Sequence, residues 1–135
     1  MFTKISLRVV QNLLRVAAAL VAVGLPLGLY FGGAQPVAVN LFPWPWGKLV
    51  HSIVFGVLAA AIGYASGLRG ARMVILGFAA SVTVGALDEW HQTYLPGRHG
   101  QVSDIGFDAI GAALGAWGAR IAALWPVLSS PKGSQ

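Results

Sequence analysis

The chain has 135 residues, of which 56% are hydrophobic and only 10% charged, and its net charge is +5 with a mean hydropathy of +0.71. A soluble domain does not have this composition; the chain reads as a membrane protein, and because each crossing needs about 20 apolar residues, no length remains for a large soluble domain. Cysteine is absent, which excludes disulfides, thiolate metal sites and cysteine nucleophiles, and the dispersed cations read as topology signals, not as a nucleic-acid surface.

At the N-terminus, Lys4, Arg8, Gln11 and Arg15 recur at helical spacing among Phe2, Ile5, Leu7, Val9, Leu13 and Leu14. This is an amphipathic extension that either lies along the inner interface or simply continues the first span, held by anionic headgroups. Four apolar stretches follow, predicting spans at about 16–34, 49–68, 73–92 and 104–125. The first carries Gly24, Pro26 and Gly28, which a membrane helix tolerates. A signal-peptide reading of Val16 to Tyr30, with cleavage near Gly32-Gly33-Ala34, fits less well because the apolar region is long for that role.

The connections fit this division. VNLFPWPWG is a Pro- and Trp-rich turn suited to the interface, GLRGAR is a tight basic turn, and YLPGRHGQ must break helix near Leu95, because the residue before a proline avoids the α region. Gly97, after Pro96, is the turn residue that takes a positive φ. The predicted fold is an all-α membrane protein, a bundle of four transmembrane helices with an amphipathic N-terminal extension, forming one domain over residues 1–135.

Orientation follows from the cations. Lys4, Arg8 and Arg15 precede span one, Arg69 and Arg72 lie between spans two and three, and Arg120 and Lys132 come near the end; the positive-inside rule then puts both termini in the cytoplasm. Only Lys48 and Arg98 remain on the far side. All four carboxylates of the chain, Asp88, Glu89, Asp104 and Asp108, lie in that same layer.

These acids are not explained locally. The 15 uncharged residues from Met73 to Leu87 rise about 22 Å, short of a core of roughly 30 Å, so Asp88 and Glu89 sit at membrane depth and near a helix C-terminus, where the dipole disfavours anions. Acids at that depth face an interior or a wet cavity and need partners; Lys48, His51 and Arg98 are available. Helical spacing predicts that Ser81, Gly85, Asp88 and Gln92 share one face of span three, that Lys48, His51, Ser52 and Phe55 cluster at the start of span two, and that Asp104, Asp108, Gly111 and Gly115 stack along span four. Gly111 to Gly115 is a small-xxx-small notch for close helix approach. Simpler roles compete at several positions. Asp104 suits a helix cap, Lys48 an interfacial anchor and Arg98 a salt bridge to Glu89 or Asp88. Trp44, Trp46, Trp90 and Tyr94 suit an interfacial belt.

The run DEWHQTYLPGRHGQVSDIGFDAIGAALG, with the earlier GKLVHSIVFGVLA, resembles the two signatures of the VanZ-like family: Asp-Glu-x-x-Gln, Pro-Gly-Arg, Asp and a small-residue helix, plus a Lys-x-x-His that opens a helix. Together they cover about a third of the chain. The family is named for a teicoplanin resistance protein, and the resemblance implies a membrane protein of the cell envelope. By position it marks Lys48, His51, Asp88, Glu89, Gln92, Pro96, Gly97, Arg98, Asp104, Gly111 and Gly115, and it leaves His91 and His99 on variable positions. Where it implies an Asn four residues after Asp104, this chain has Asp108.

The favoured expectation is a binding protein. Lys48 and Arg98 hold an anionic headgroup at the extracytoplasmic face, while His51, Asp88, Glu89, Gln92, Asp104 and Asp108 complete the pocket. Membrane lipids, a lipid-linked envelope precursor or a lipoglycopeptide-type antibiotic are the expected ligands, with no cofactor and no nucleic acid. The alternative is an interfacial enzyme for phosphoryl or acyl transfer, with Asp88, Glu89 or His51 in acid–base roles and Lys48 with Arg98 stabilising negative charge. A metal-dependent variant using Asp88, Glu89, Asp104, Asp108 and His51 ranks lower because no tight motif such as HExxH is present. A proton or ion pathway ranks last, since the ionisable groups stop near one side.

Overall fold

The computed structural model describes residues 2–39 and 41–128, with side chains for 8–39 and 41–124. Lys132 and the side chain of Lys4, both used above for orientation, lie outside that set. Four helices carry the fold: α1 (Phe2–Gly33), α2 (Trp46–Ala65), α3 (Ala71–Gln92) and α4 (Val102–Leu128), with one turn of 3-10 helix at Pro36–Ala38. Each is long and apolar enough to cross a membrane, over Arg8–Gly33, Trp46–Ala65, Ala71–Gln92 and Val102–Leu124.

The N-terminal extension is continuous with the first span, and α1 runs through Pro26 without interruption over 32 residues. A straight helix of that length rises about 48 Å, more than a hydrocarbon core of roughly 30 Å, so the basic first turns project beyond it. At the other end of the chain's motif region, α3 stops at Gln92, three residues before the Leu95-Pro96 step. The amides of Thr93, Tyr94 and Leu95 already bond three residues back, and Arg98 N–H then donates to Leu95 O to close a turn. Pro96 and Gly97 fill its centre and Gly97 takes a φ of +76°, the left-handed value that a type II turn demands at its third position.

Three helices form the core and α1 packs outside them. The tightest pair is α2 with α4, which run parallel: Lys48 meets Asp104, His51 meets Asp108, and further along Gly56 meets the Gly111 backbone. Helix α3 runs antiparallel to both, its Ser81 hydroxyl donating to the Phe55 carbonyl at 2.8 Å in the buried interior. The close approach of α2 and α4 is made by glycine. A Cβ at Gly111 would overlap the Ser52 carbonyl, and one at Gly115 the Gly56 carbonyl, so the notch expected from the sequence sets the interhelical distance backbone to backbone. The tightly packed apolar centre is small, with Ala59, Ala112 and Ala116 flanked by Val74 and Val82. Most large apolar side chains instead face outward along the spans, as lipid-facing residues do. Helix α1 has no buried residue in its span; it holds to α3 through Tyr30 stacked on His91, ring centroids 4.2 Å apart, and its Arg15 side chain lies against Gly67.

Candidate functional site

The end of the bundle where α2 and α4 begin and α3 ends holds all four carboxylates. Lys48, in the first turn of α2, forms an ion pair with Asp104 in the first turn of α4. Its Nζ also donates to Ser103 Oγ at 2.9 Å and Gln101 Oε1 at 3.4 Å and lies 5.6 Å from the Phe107 ring centre. Lys48 is thus tied to the start of α4 and not to Asp88 or Glu89, the partners expected for it. Asp104 is likewise no helix cap; it lies inside the first turn and its carboxylate accepts from Lys48.

One helical turn deeper, His51 Nδ1 stands 3.0 Å from Asp108 Oδ1. That distance pairs the ring nitrogen with the carboxylate; against an ionised carboxylate, which only accepts, Nδ1–H is the donor. Asp108 is completely buried. Its second oxygen, Oδ2, has no partner among the described residues and fits only because residue 85 is glycine: a Cβ there would stand 2.8 Å from it.

On α3 the buried stripe is Met73, Gly77, Ser81, Gly85, Glu89 and Gln92. Glu89, not Asp88, continues the face that the sequence reading assigned to Asp88. The difference is one of helical rotation: steps of four from Gly77 through Ser81 and Gly85 lead to Glu89, and Asp88 falls on the shoulder. Glu89 is 4% exposed. Its Oε2 accepts the Gln101 backbone N–H at 2.7 Å, satisfying an amide at the start of α4 that a residue of α4 itself normally satisfies. Its Oε1 has no partner. Asp88 accepts from Gln92 Nε2 at 2.8 Å. Among the described residues, no Lys or Arg reaches Asp88 or Glu89, so the expected salt bridge from Arg98 is not formed. Arg98 instead donates from Nη2 to the Ala38 carbonyl at 2.9 Å, tying the loop after α3 to the segment after α1.

A cavity of about 450 Å³ opens beside these groups. Lys48, His51, Asp88, Gln92, Arg98 and Asp104 contribute its polar wall; Leu29, Val39, Phe42, Trp44, Val50 and Val54 contribute an apolar one. Of the eight residues marked from the sequence as ligand-binding, six therefore share one cavity. Glu89 and Asp108 are not on its surface; they lie buried behind it. His99, set aside in the sequence as variable, does line it, while His91 is occupied by its stack on Tyr30. Neither the support of Gln101 by Glu89, across the α3–α4 loop, nor the Ala38 contact of Arg98, which joins segments far apart in the chain, has a local sequence signal.

A family model described as VanZ/LLP1 matches residues 4–123. No curated protein and no solved structure matches the chain.

Proposed function

Since the chain belongs to the VanZ/LLP1 family across nearly its whole length, we propose that it is a multi-pass protein of the cytoplasmic membrane that binds an anionic, amphipathic envelope ligand at its extracytoplasmic end. The observation that carries this reading is Arg98. Its guanidinium is half-buried in the cavity wall, held by a backbone carbonyl, with no carboxylate in ion-pair range among the described residues. A positioned guanidinium whose charge the protein does not balance suits phosphate or carboxylate, which it meets in two-pronged fashion. The apolar part of the same lining suits the chain of an amphiphile. The orientation is supported by Arg8, Arg15, Arg69, Arg72 and Arg120, all at the opposite end of the bundle, in keeping with the positive-inside rule.

The ligand class is a lipid bearing phosphate, including lipid-linked envelope precursors, or an acidic lipoglycopeptide antibiotic of the teicoplanin type. Native mass spectrometry in mild detergent, with a polyprenyl phosphate, phosphatidylglycerol and phosphatidylcholine as probes, tests it. The two anionic lipids are expected to be retained over phosphatidylcholine. Arg98→Ala is expected to weaken that retention about tenfold or more, the equivalent of about 1.4 kcal/mol. Equal retention of all three lipids, or no change in Arg98→Ala, refutes the reading.

One observation favours a second reading, an interfacial enzyme for phosphoryl or acyl transfer. His51 sits on the cavity wall with its Nδ1 paired to buried Asp108, the arrangement of a positioned general base, and Lys48 also lines the cavity. In this reading His51 is the acid–base group and Glu89, enclosed behind the wall, is not. Phosphorus NMR of a polyprenyl phosphate incubated with the protein decides it: no new resonance on long incubation rules out phosphoryl transfer.

A further inference from the structure

The geometry points to a divalent metal site, of zinc type, formed by His51, Glu89 and Asp108 at the meeting of α2, α3 and α4. Each of the three residues offers one donor atom, a ring nitrogen or a carboxylate oxygen, and these atoms all lie within 4.8 Å of one another. Two of the residues are buried, Glu89 at 4% exposure and Asp108 at 0%.

An acidic group in the interior is not by itself a reason to invoke a cation. The reason is that both buried carboxylates are half-satisfied. Glu89 Oε2 is held by the Gln101 amide and Asp108 Oδ1 by His51, leaving Glu89 Oε1 and Asp108 Oδ2 enclosed with no hydrogen-bond partner among the described residues. Lone pairs in such a position carry a large desolvation penalty, and two anions this close repel each other unless a cation or a proton lies between them. Lys48 does not serve, because it is committed to Asp104 and the start of α4. Gly85 adds a steric allowance, since any side chain there would press on Asp108 Oδ2.

The donor set selects the ion. One imidazole with two carboxylates and no thiolate suits zinc, or manganese and iron of the same charge, better than magnesium or calcium, which prefer all-oxygen shells. Zinc bonds of about 2.0 to 2.2 Å place donors in a tetrahedron about 3.4 Å apart. Donors already within 4.8 Å of one another have to close by no more than about 1.4 Å to reach that spacing. Three protein ligands leave a fourth position for water or an incoming group. The inference rests on the carboxylate of Asp108, since a neutral amide at that position is a poor ligand. It does not depend on which ligand fills the neighbouring cavity.

The test uses the full chain in detergent, stripped with chelator and dialysed against buffered zinc, manganese, magnesium or calcium, with bound metal measured by inductively coupled plasma mass spectrometry. One zinc per chain is expected, with preference over magnesium and calcium, and the unfolding temperature is expected to rise with free zinc and fall again with chelator. Glu89→Gln and Asp108→Asn are each expected to lower zinc affinity by more than about 100-fold, beyond the roughly 10- to 100-fold that changes outside the ligand set produce. Asp88→Asn, also an acid of this cluster, is expected to keep the metal. The inference is overturned if wild-type protein holds less than stoichiometric zinc and shows no zinc-dependent unfolding temperature, in which case a shared proton joins the two acids. It is equally overturned if both ligand variants, folded by circular dichroism, retain zinc. The wild-type arm needs no variant to fold, and because no lipid is scored, it fails independently of the proposed binding function.

Discussion

Lys48 and Arg98 are the two cations at the acidic end, and they are held in different ways. Lys48 is neutralised by Asp104 with both side chains part-buried, whereas Arg98 has no acidic partner among the described residues. Lys48→Met is therefore expected to leave a partly desolvated anion and to destabilise the protein by about 1 to 3 kcal/mol, between the values for exposed and for fully buried pairs. Asp104→Asn should do the same from the other side. The double variant should recover a coupling energy of about 1 to 2 kcal/mol, measured by reversible unfolding in mixed micelles; strictly additive losses would mean that the pair is not an energetic unit. At this scale the sequence showed which residues gather but not which ones touch. Lys48, His51, Asp88, Glu89 and Asp104 are recognisable because charge at membrane depth demands an explanation. Their pairing depends on how far each helix is rotated about its axis, and one step of about 100° separates Asp88 on the shoulder of α3 from Glu89 in the interior. The signal that fixes the rotation was present, in the small residues Gly77, Ser81 and Gly85 that lead to Glu89 at intervals of four.

Between elements, the seam of α2 against α4 sets the site. Gly111 and Gly115 let the two backbones touch, and that contact brings the first turns of both helices close enough for Lys48 to meet Asp104 and His51 to meet Asp108. Gly111→Ala has no space for its methyl group and is expected to cost about 1 to 3 kcal/mol while loosening both pairs. Gly118→Ala, on the same helix, meets nothing within 4 Å and should be neutral within about 0.5 kcal/mol. Micelle unfolding of the two variants side by side distinguishes a specific seam from a general intolerance of α4 to bulk; equal losses would refute the specific seam. The helices themselves were legible from hydropathy and punctuation, since apolar runs of membrane length bounded by Pro, Gly and Arg leave few other folds. Their ends were less so. Capping and turn bonds decide the last residues, and α3 yields to its turn at Gln92 before the proline at 96 compels it.

For the whole molecule, the charge distribution is two-ended: arginines gather around the α2–α3 turn and the start of α1, and acids at the opposite end. The absence of cysteine makes the orientation directly measurable. A single cysteine at Gln35 or His99 is expected to react with an impermeant maleimide in intact cells, and one at Gly70 only after permeabilisation. The reverse pattern would place the cavity on the cytoplasmic side and remove the extracytoplasmic ligand classes. A further consequence lies in the order in which the chain is made. The contacts that pair the head of α2 with α4 join residues 56 and 57 positions apart, Lys48 to Asp104 and His51 to Asp108. When α2 first leaves the ribosome, Lys48 has no acid of α4 to meet, and the head of α2 is expected to wait at the protein-conducting channel or the interface until α4 has been synthesised. On this expectation insertion is a delayed capture, completed by α4. An arrest-peptide assay should register it as a pulling force when α4 enters, diminished by combining Asp104→Asn with Asp108→Asn although neither change lowers the apolar length of that helix.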